Sequence, residues 1–416
     1  MAGARLARVF LPVLAILYVL GFTNLFLRSS FGVMAPHLSV EMQLTPAQVS
    51  GVASAFFFAY AAMQVPTGVL LDRFGARRTL ATMLLFTTAG TALFAAATSG
   101  TMLAAGRVLM GIGCAGIFTG AFYVLALWLP RERVVSTSGT LNSFASLGNI
   151  AATTPLAALI AVIGWRQSYG LFTAGVLVLL ILVALLVRDR PPEVEPHATT
   201  RETFGEVLSG VWAAACQPGM VRLLTVGLPM SAASTIAGTW GAPYLRDVHG
   251  LDDIGRGNVL LAMALCGMSG HTLLGILARR VNSMKVAILT GSIGIIAATT
   301  SLALISSPSL TLVIGLFCLM GVCGTYPAIA MAHARGLVPP PLLGRGVAVA
   351  NMGMMTGVAC MQFAFGWIVG LFPAVGGLQP EEAYRTAFAA QAAMALVALV
   401  IYAPIRDVHP RDKRTI

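Results

Sequence analysis

Twelve apolar runs divide the chain, at 9–34, 46–70, 79–98, 101–128, 134–163, 168–187, 219–245, 256–278, 284–305, 308–333, 345–372 and 384–405. A helix needs about 20 apolar residues to cross a hydrocarbon core of about 30 Å, and a soluble fold has no use for twelve such runs in succession. Lipid offers a backbone no hydrogen-bond partner, so each run is expected to close its own bonds as a helix. With 57% hydrophobic and 10% charged residues in 416, a soluble enzyme, a secreted disulfide scaffold and a nucleic-acid-binding domain are all disfavoured. The fold class is an all-α membrane protein with twelve transmembrane helices.

The formal net charge of +11 is explained by where the cations sit. Of the 26 Lys and Arg, 20 fall in the termini and loops on one side of the expected membrane. Arg166, Arg246, Arg256 and Arg385 face the other way, and Arg28 and Arg107 lie within spans. Positive loops are retained in the cytoplasm, so both termini are expected there, in a multi-pass protein of the cytoplasmic (inner) membrane with lipids as its surroundings. The charge is topological and implies no nucleic-acid partner. Arg5 and Arg8 precede the first span as they would a signal peptide, but the run is too long and meets Pro36 without a cleavage site, so it should stay attached. The six cysteines show no metal-binding spacing and read as small core residues. No metal or cofactor is expected.

A shift of 207 residues lays Ala35-Pro36-His37-Leu38 on Ala242-Pro243-Tyr244-Leu245 and Gly68-Val69-Leu70 on Gly275-Ile276-Leu277. At 210, Leu109 to Ile112 meets Leu319 to Val322, and at 209, Asn142 and Gly148 meet Asn351 and Gly357. Similar offsets in order, near half the chain length, imply a duplicated six-helix unit. The expected domains are an N-terminal bundle, 1–187, a polar cytoplasmic linker, 188–218, and a C-terminal bundle, 219–416. Solute sites in such repeats lie near the midplane, between the halves.

Residues 68–78, Gly-Val-Leu-Leu-Asp-Arg-Phe-Gly-Ala-Arg-Arg, resemble the GxLxDRxGxRR loop between helices 2 and 3 of the major facilitator superfamily. A degenerate second copy runs from Gly275 to Lys285. The first two spans look most like the superfamily's anion:cation symporter and organic-anion group. The resemblance implies a carrier in which Gly68, Asp72, Arg73, Gly75, Arg77 and Arg78 latch the halves on the cytoplasmic face, with the start of span 11 near Gly344-Arg345-Gly346 as their contact. An acid there can also sit at a helix N-terminus, where anions are favoured.

Arg28 is the first candidate ligand. It stands eight residues before Pro36, which at 1.5 Å per residue places it about 12 Å inside. A guanidinium at that depth costs about 3 kcal/mol unless it faces a cavity or a partner. It grips carboxylates and similar groups bidentately, or it is structural, bonded to helix-end carbonyls. In the anion-transporting group an Arg holds this place, but the usual acid before it is replaced by Leu27. Arg107 opens Arg107-Val-Leu-Met-Gly111-Ile-Gly113, which looks like the superfamily's RxxxGxG pattern and is either a coupling or a packing residue. No Asp or Glu falls in a span centre, so His271 and His333 are the titratable alternatives for coupling. Asn24, Gln64, Tyr123, Asn142, Thr235, Trp240 and Asn351 are further substrate-site candidates, with Asn149, Thr239, Tyr326 and Gln362, though the same residue types also join helices.

The expected function is secondary active transport of a small anionic solute by alternating access, through uptake with a proton or exchange for a counter-anion, by a monomer. The alternative within transport is a drug or metabolite exporter exchanging with protons. It is disfavoured because span 5, Gly148 to Pro155, lacks the Gly-Pro-rich antiporter signature. A membrane enzyme is disfavoured by the absence of any GxSxG, HExxH or nucleotide-binding glycine loop.

Overall fold

A computed structural model describes residues 2–189 and 204–409. The chain opens with α1 (Ala2–Ser29) and α2 (Phe31–Glu41), one apolar run interrupted at Ser30, whose hydroxyl meets the Tyr169 hydroxyl at 2.6 Å. Next, α3 (Pro46–Ala62) starts on a capping box in which Thr45 and Gln48 satisfy each other's amides. It meets α4 (Gln64–Ala95) at a bend of 46°. Helices α5 (Gly100–Ala115), α6 (Ile117–Trp128), α7 (Arg131–Ala151) and α8 (Thr154–Leu186) complete the first part of the chain.

Two of these helices hide turns. The backbone of α4 leaves helical values at Gly75 (φ 78°, ψ 172°) and that of α8 at Gly164 (φ 80°, ψ 163°). Only glycine adopts such angles without strain. These breaks fall in the polar gaps expected between the second and third and between the fifth and sixth spans.

The expected linker contains a helix of its own, α9 (Phe204–Ala215), with Leu208 and Trp212 exposed. Then come α10 (Met220–Leu224), α11 (Gly227–Thr235), a π-helical turn (Ile236–Trp240) and α12 (Gly241–His249). Further on, α13 (Asp253–Val281) is capped by Asp252, α14 (Met284–Leu304) by Ser283 and α15 (Leu310–Cys323) by Ser309. The chain ends with α16 (Pro327–Leu337), α17 (Leu343–Val369) and α18 (Glu381–Tyr402). Among the described residues, nine helices are long and apolar enough to span a bilayer, or ten with the bent α3–α4 pair.

Close packing rests on glycine. A Cβ on Gly148 of α7 would come within 2.2 Å of the Phe22 carbonyl of α1, and one on Gly270 of α13 within 2.3 Å of the Val322 carbonyl of α15. The parts before and after α9 meet mainly where α3 packs on α17 and α8 on α13.

Candidate binding cavity

Contacts of α2, α3 and α8 with the π-helical turn and α13 seal one side of the space between these parts. Gly32 of α2 lies against Gly238 of the π-helical turn so closely that a Cβ on Gly32 would sit 2.9 Å from the Gly238 carbonyl carbon. Nearby, the Trp240 indole donates to Ser50 Oγ (2.9 Å), Thr154 Oγ1 donates to Asn258 (2.9 Å), and His37 Nε2 lies 3.2 Å from Asp253. Below that seal lies a cavity of about 550 Å³, within the range of small-molecule sites. It is lined by Arg28 and Ser29 of α1 and by residues of α7, α11 and α13.

The lining is unequal in charge. Among the described residues of the lining, Arg28 is the one permanently charged residue, His271 is the other titratable one, and none is acidic. The Arg28 guanidinium stacks over Phe57 at 5.2 Å and makes no hydrogen bond or ion pair among the described residues. A guanidinium offers a planar fork of donors that matches the geometry of a carboxylate. Facing it, α7 contributes Gly139, Asn142, Ser143, Ser146 and Asn149. Recurrence at three and four residues makes this one polar helical face, a signal present in the sequence that isolates the serines as well as the asparagines. Ser29 donates to Asn149 Oδ1 (2.8 Å), anchoring α1 to that face next to Arg28.

The remaining sequence candidates lie elsewhere. Asn24 is buried and donates to the Cys114 carbonyl (2.6 Å). Gln64 accepts a hydrogen bond from Asn351 (2.7 Å), and both lie outside the cavity lining. Thr235, Thr239 and Gln362 are buried with side-chain polar atoms unpaired, and none lines the cavity. Trp240 belongs to the far seal, packed on Phe365, and Tyr326 donates to the Val226 carbonyl (3.2 Å). Tyr123 lies on α6 outside the lining. Arg107 is fully buried between the rings of Phe31 and Phe56, with Nη1 donating to the Leu27 carbonyl (3.0 Å). His333 is buried with both nitrogens engaged, by Tyr402 and the Arg406 carbonyl.

In the 68–78 segment, Asp72, Arg73, Arg77 and Arg78 are exposed, and Arg73 lies over Phe74. The Arg77 amide donates to Asp189 Oδ1 (2.6 Å) and its guanidinium to the Ala184 carbonyl. The helix N-terminus that opens after Gly75 is therefore capped by Asp189, the first acid after the sixth apolar run. A Cβ on Gly75 would lie 2.6 Å from that carboxylate, whereas one on Gly68 would meet open space. Arg345, in the expected contact region of α17, lies over Gly210 of α9.

The family model described as the Major Facilitator Superfamily matches residues 17–314 and 285–416. The chain belongs to this superfamily. It is 28% identical over 281 residues to a probable sulfoacetate transporter of Cupriavidus necator, covering 65% of this chain and 64% of that one. It is 28% identical over 184 residues to the hexuronate transporter of Bacillus subtilis (44% and 43% covered). It is 26% identical over 275 residues to a probable galactarate/D-glucarate transporter of the same species (60% of each). The chain thus spans less than two thirds of these relatives' lengths. Among solved structures, it resembles a bacterial Spinster homologue in an inward-facing, occupied conformation (TM-score 0.73, 17% identity, 94% and 95% covered). It also resembles a D-xylose-proton symporter (TM-score 0.73, 12% identity, 98% and 99% covered). At these identities the structural likeness concerns the fold.

Proposed function

We propose that the protein is a secondary active transporter that carries a small organic anion across the cytoplasmic membrane by alternating access. The observation that carries this is the acid-free cavity whose only fixed charge is the unpaired guanidinium of Arg28. An anion entering it replaces its water shell with a planar pair of donors and meets no opposing carboxylate. The relatives bearing the names of sulfoacetate, hexuronate and galactarate/glucarate transporters support the same solute class. A lone cationic wall disfavours export of lipophilic cations, and the protein acts as a monomeric carrier, not as an enzyme.

In this reading twelve spans form two six-helix halves, 1–187 and 219–416, with both termini and the 188–218 linker in the cytoplasm. The cavity then opens inward. Uptake is driven by a proton or by a counter-anion, and the 68–78 loop, with Asp72 at its centre, latches the cytoplasmic side when the carrier faces out.

The test is a thermal-shift screen of the purified protein against mono- and dicarboxylates, sugar acids, sulfonates and neutral controls, repeated on Arg28→Ala. Ligand bound to the folded state raises apparent stability by mass action. The expected outcome is stabilisation by anions that disappears in the variant. Stabilisation confined to cations or neutral compounds overturns the reading.

A further inference from the structure

Gln64 corresponds to His271 at the 207-residue shift, and Asn351 to Asn142 at the 209-residue shift. Where the two halves of such a carrier are related by an axis along the membrane normal, counterparts sit at equal depth on opposite sides of the cavity. On one side α4 and α17 are joined directly, Asn351 Nδ2 donating to Gln64 Oε1 at 2.7 Å. On the other side the counterparts, Asn142 of α7 and His271 of α13, are both exposed to the cavity they share with Arg28. The same pair of positions is thus closed on itself in one place and left open in the other.

The chemistry of the open pair is specific. His271 lies in the lining with Thr325, and its ring is exposed to whatever fills the cavity. A neutral imidazole donating from one nitrogen presents a lone pair at the other, and only the protonated ring donates from both. Arg28 is the one other titratable side chain in this lining, and α7, α11, α15 and α16 contribute none. An oxygen-bearing group between Asn142 and His271 therefore meets amide donors on one wall, and on the other a ring that gains a second donor and a positive charge by taking up a proton.

We propose that Asn142 and His271 are a gate pair completed by the solute. They hold an oxygen-rich group at the end of the anion remote from Arg28, and a proton from the bulk enters on His271 with it. This rests on the anion-carrier reading and adds to it a two-ended solute and a coupling site. Direct contact closes the α4–α17 side; occupied solute closes the α7–α13 side.

The experiment compares malonate, succinate and glutarate with propionate, butyrate and valerate by calorimetry on the purified protein, in buffers of different ionisation heat so that protons taken up are counted. A hydrogen bond to a charged group corresponds to about a tenfold preference for at least one dicarboxylate over its matched monocarboxylate. We expect that preference in the unmodified protein, with close to one proton taken up. His271→Leu and Asn142→Leu should reduce the preference to near unity. His271→Gln, which installs the residue found at the counterpart position, should restore the preference without proton uptake. That restoration separates a ligand role from a folding role. The proposal is overturned by an unmodified protein that shows no preference, by a preference that survives His271→Leu, or by proton uptake that persists in His271→Gln. Arg28→Ala in the same assay isolates the underlying reading: undiminished monocarboxylate binding there defeats the anion-carrier assignment whatever His271 does.

Discussion

Asn351 and Gln64, 287 positions apart in sequence, are joined by a hydrogen bond of 2.7 Å that ties α17 to α4. Gln64 is buried, and its amide nitrogen reaches the Tyr60 carbonyl at 3.4 Å. Removing one partner leaves a desolvated group unpaired at a cost of about 1–3 kcal/mol, whereas replacing both is far milder. We therefore expect Asn351→Leu and Gln64→Leu each to lower the unfolding temperature, and the double variant to fall by clearly less than their sum. A double-mutant cycle on thermal unfolding measures this coupling. Strict additivity would show that the pair contributes no interaction.

Residues such as these show where the sequence stops being informative. The helices were legible because apolar length leaves few alternatives, and the 68–78 motif together with the repeat offsets pointed to the superfamily. Arg28 was legible because a cation in an apolar run demands a reason. What sorts Asn142 from Asn24 is invisible in the chain, since both are amides within spans. One faces the cavity; the other is spent on the Cys114 carbonyl. Asp189 falls within the expected 188–218 linker and nothing near it in sequence marks it as a cap, because its partner, the Arg77 amide, lies 112 positions away and becomes available only when Gly75 breaks the helix. The α9 helix has no clear signal in the sequence because its short apolar stretch sits within a polar segment.

Arg28 and Arg107 should separate under mutation. Arg107 is buried, bonded to the Leu27 carbonyl and enclosed by two rings, so Arg107→Ala is expected to cost roughly 2 kcal/mol or more in stability. Among the described residues Arg28 has the Phe57 ring as its one direct partner, so Arg28→Ala should cost about 1 kcal/mol or less. Thermal unfolding without ligand compares the two. A larger loss in Arg28→Ala would make that residue structural.

Gly75 is expected to resist substitution. Its φ of 78° with ψ of 172° is a conformation that side chains avoid, and an added Cβ would meet the Asp189 carboxylate at 2.6 Å. Gly75→Ala should destabilise by about 1–3 kcal/mol. Asp189→Ala, which uncaps the Arg77 amide, should cost about 1 kcal/mol. Because the two residues touch, the pair should be non-additive: Asp189→Ala makes room for the new methyl and relieves part of the Gly75→Ala penalty. Equal penalties for Gly75→Ala in both backgrounds would remove the steric part of this account.

Acid should weaken the far end of the molecule through Glu41. Its carboxylate accepts from the Trp165 indole (2.6 Å) and pairs with Arg166, and these two contacts hold its pKa below the ordinary value, the indole bond contributing most. A carboxyl whose folded-state pKa is depressed adds stability above its unfolded value of about 4, and that contribution disappears as pH falls through the folded-state value. The carboxylate is largely exposed, so the effect is small and screened by salt. Unfolding temperatures measured downward from about pH 5 should therefore decline in the unmodified protein and decline less in Glu41→Gln, which is already without the charge. The difference between the two should shrink at low pH, where Glu41 is protonated in both the folded and unfolded chains. A gap that instead widens on acidification would reverse the sign of this linkage and show that the Trp165 and Arg166 contacts do not favour the ionised carboxylate.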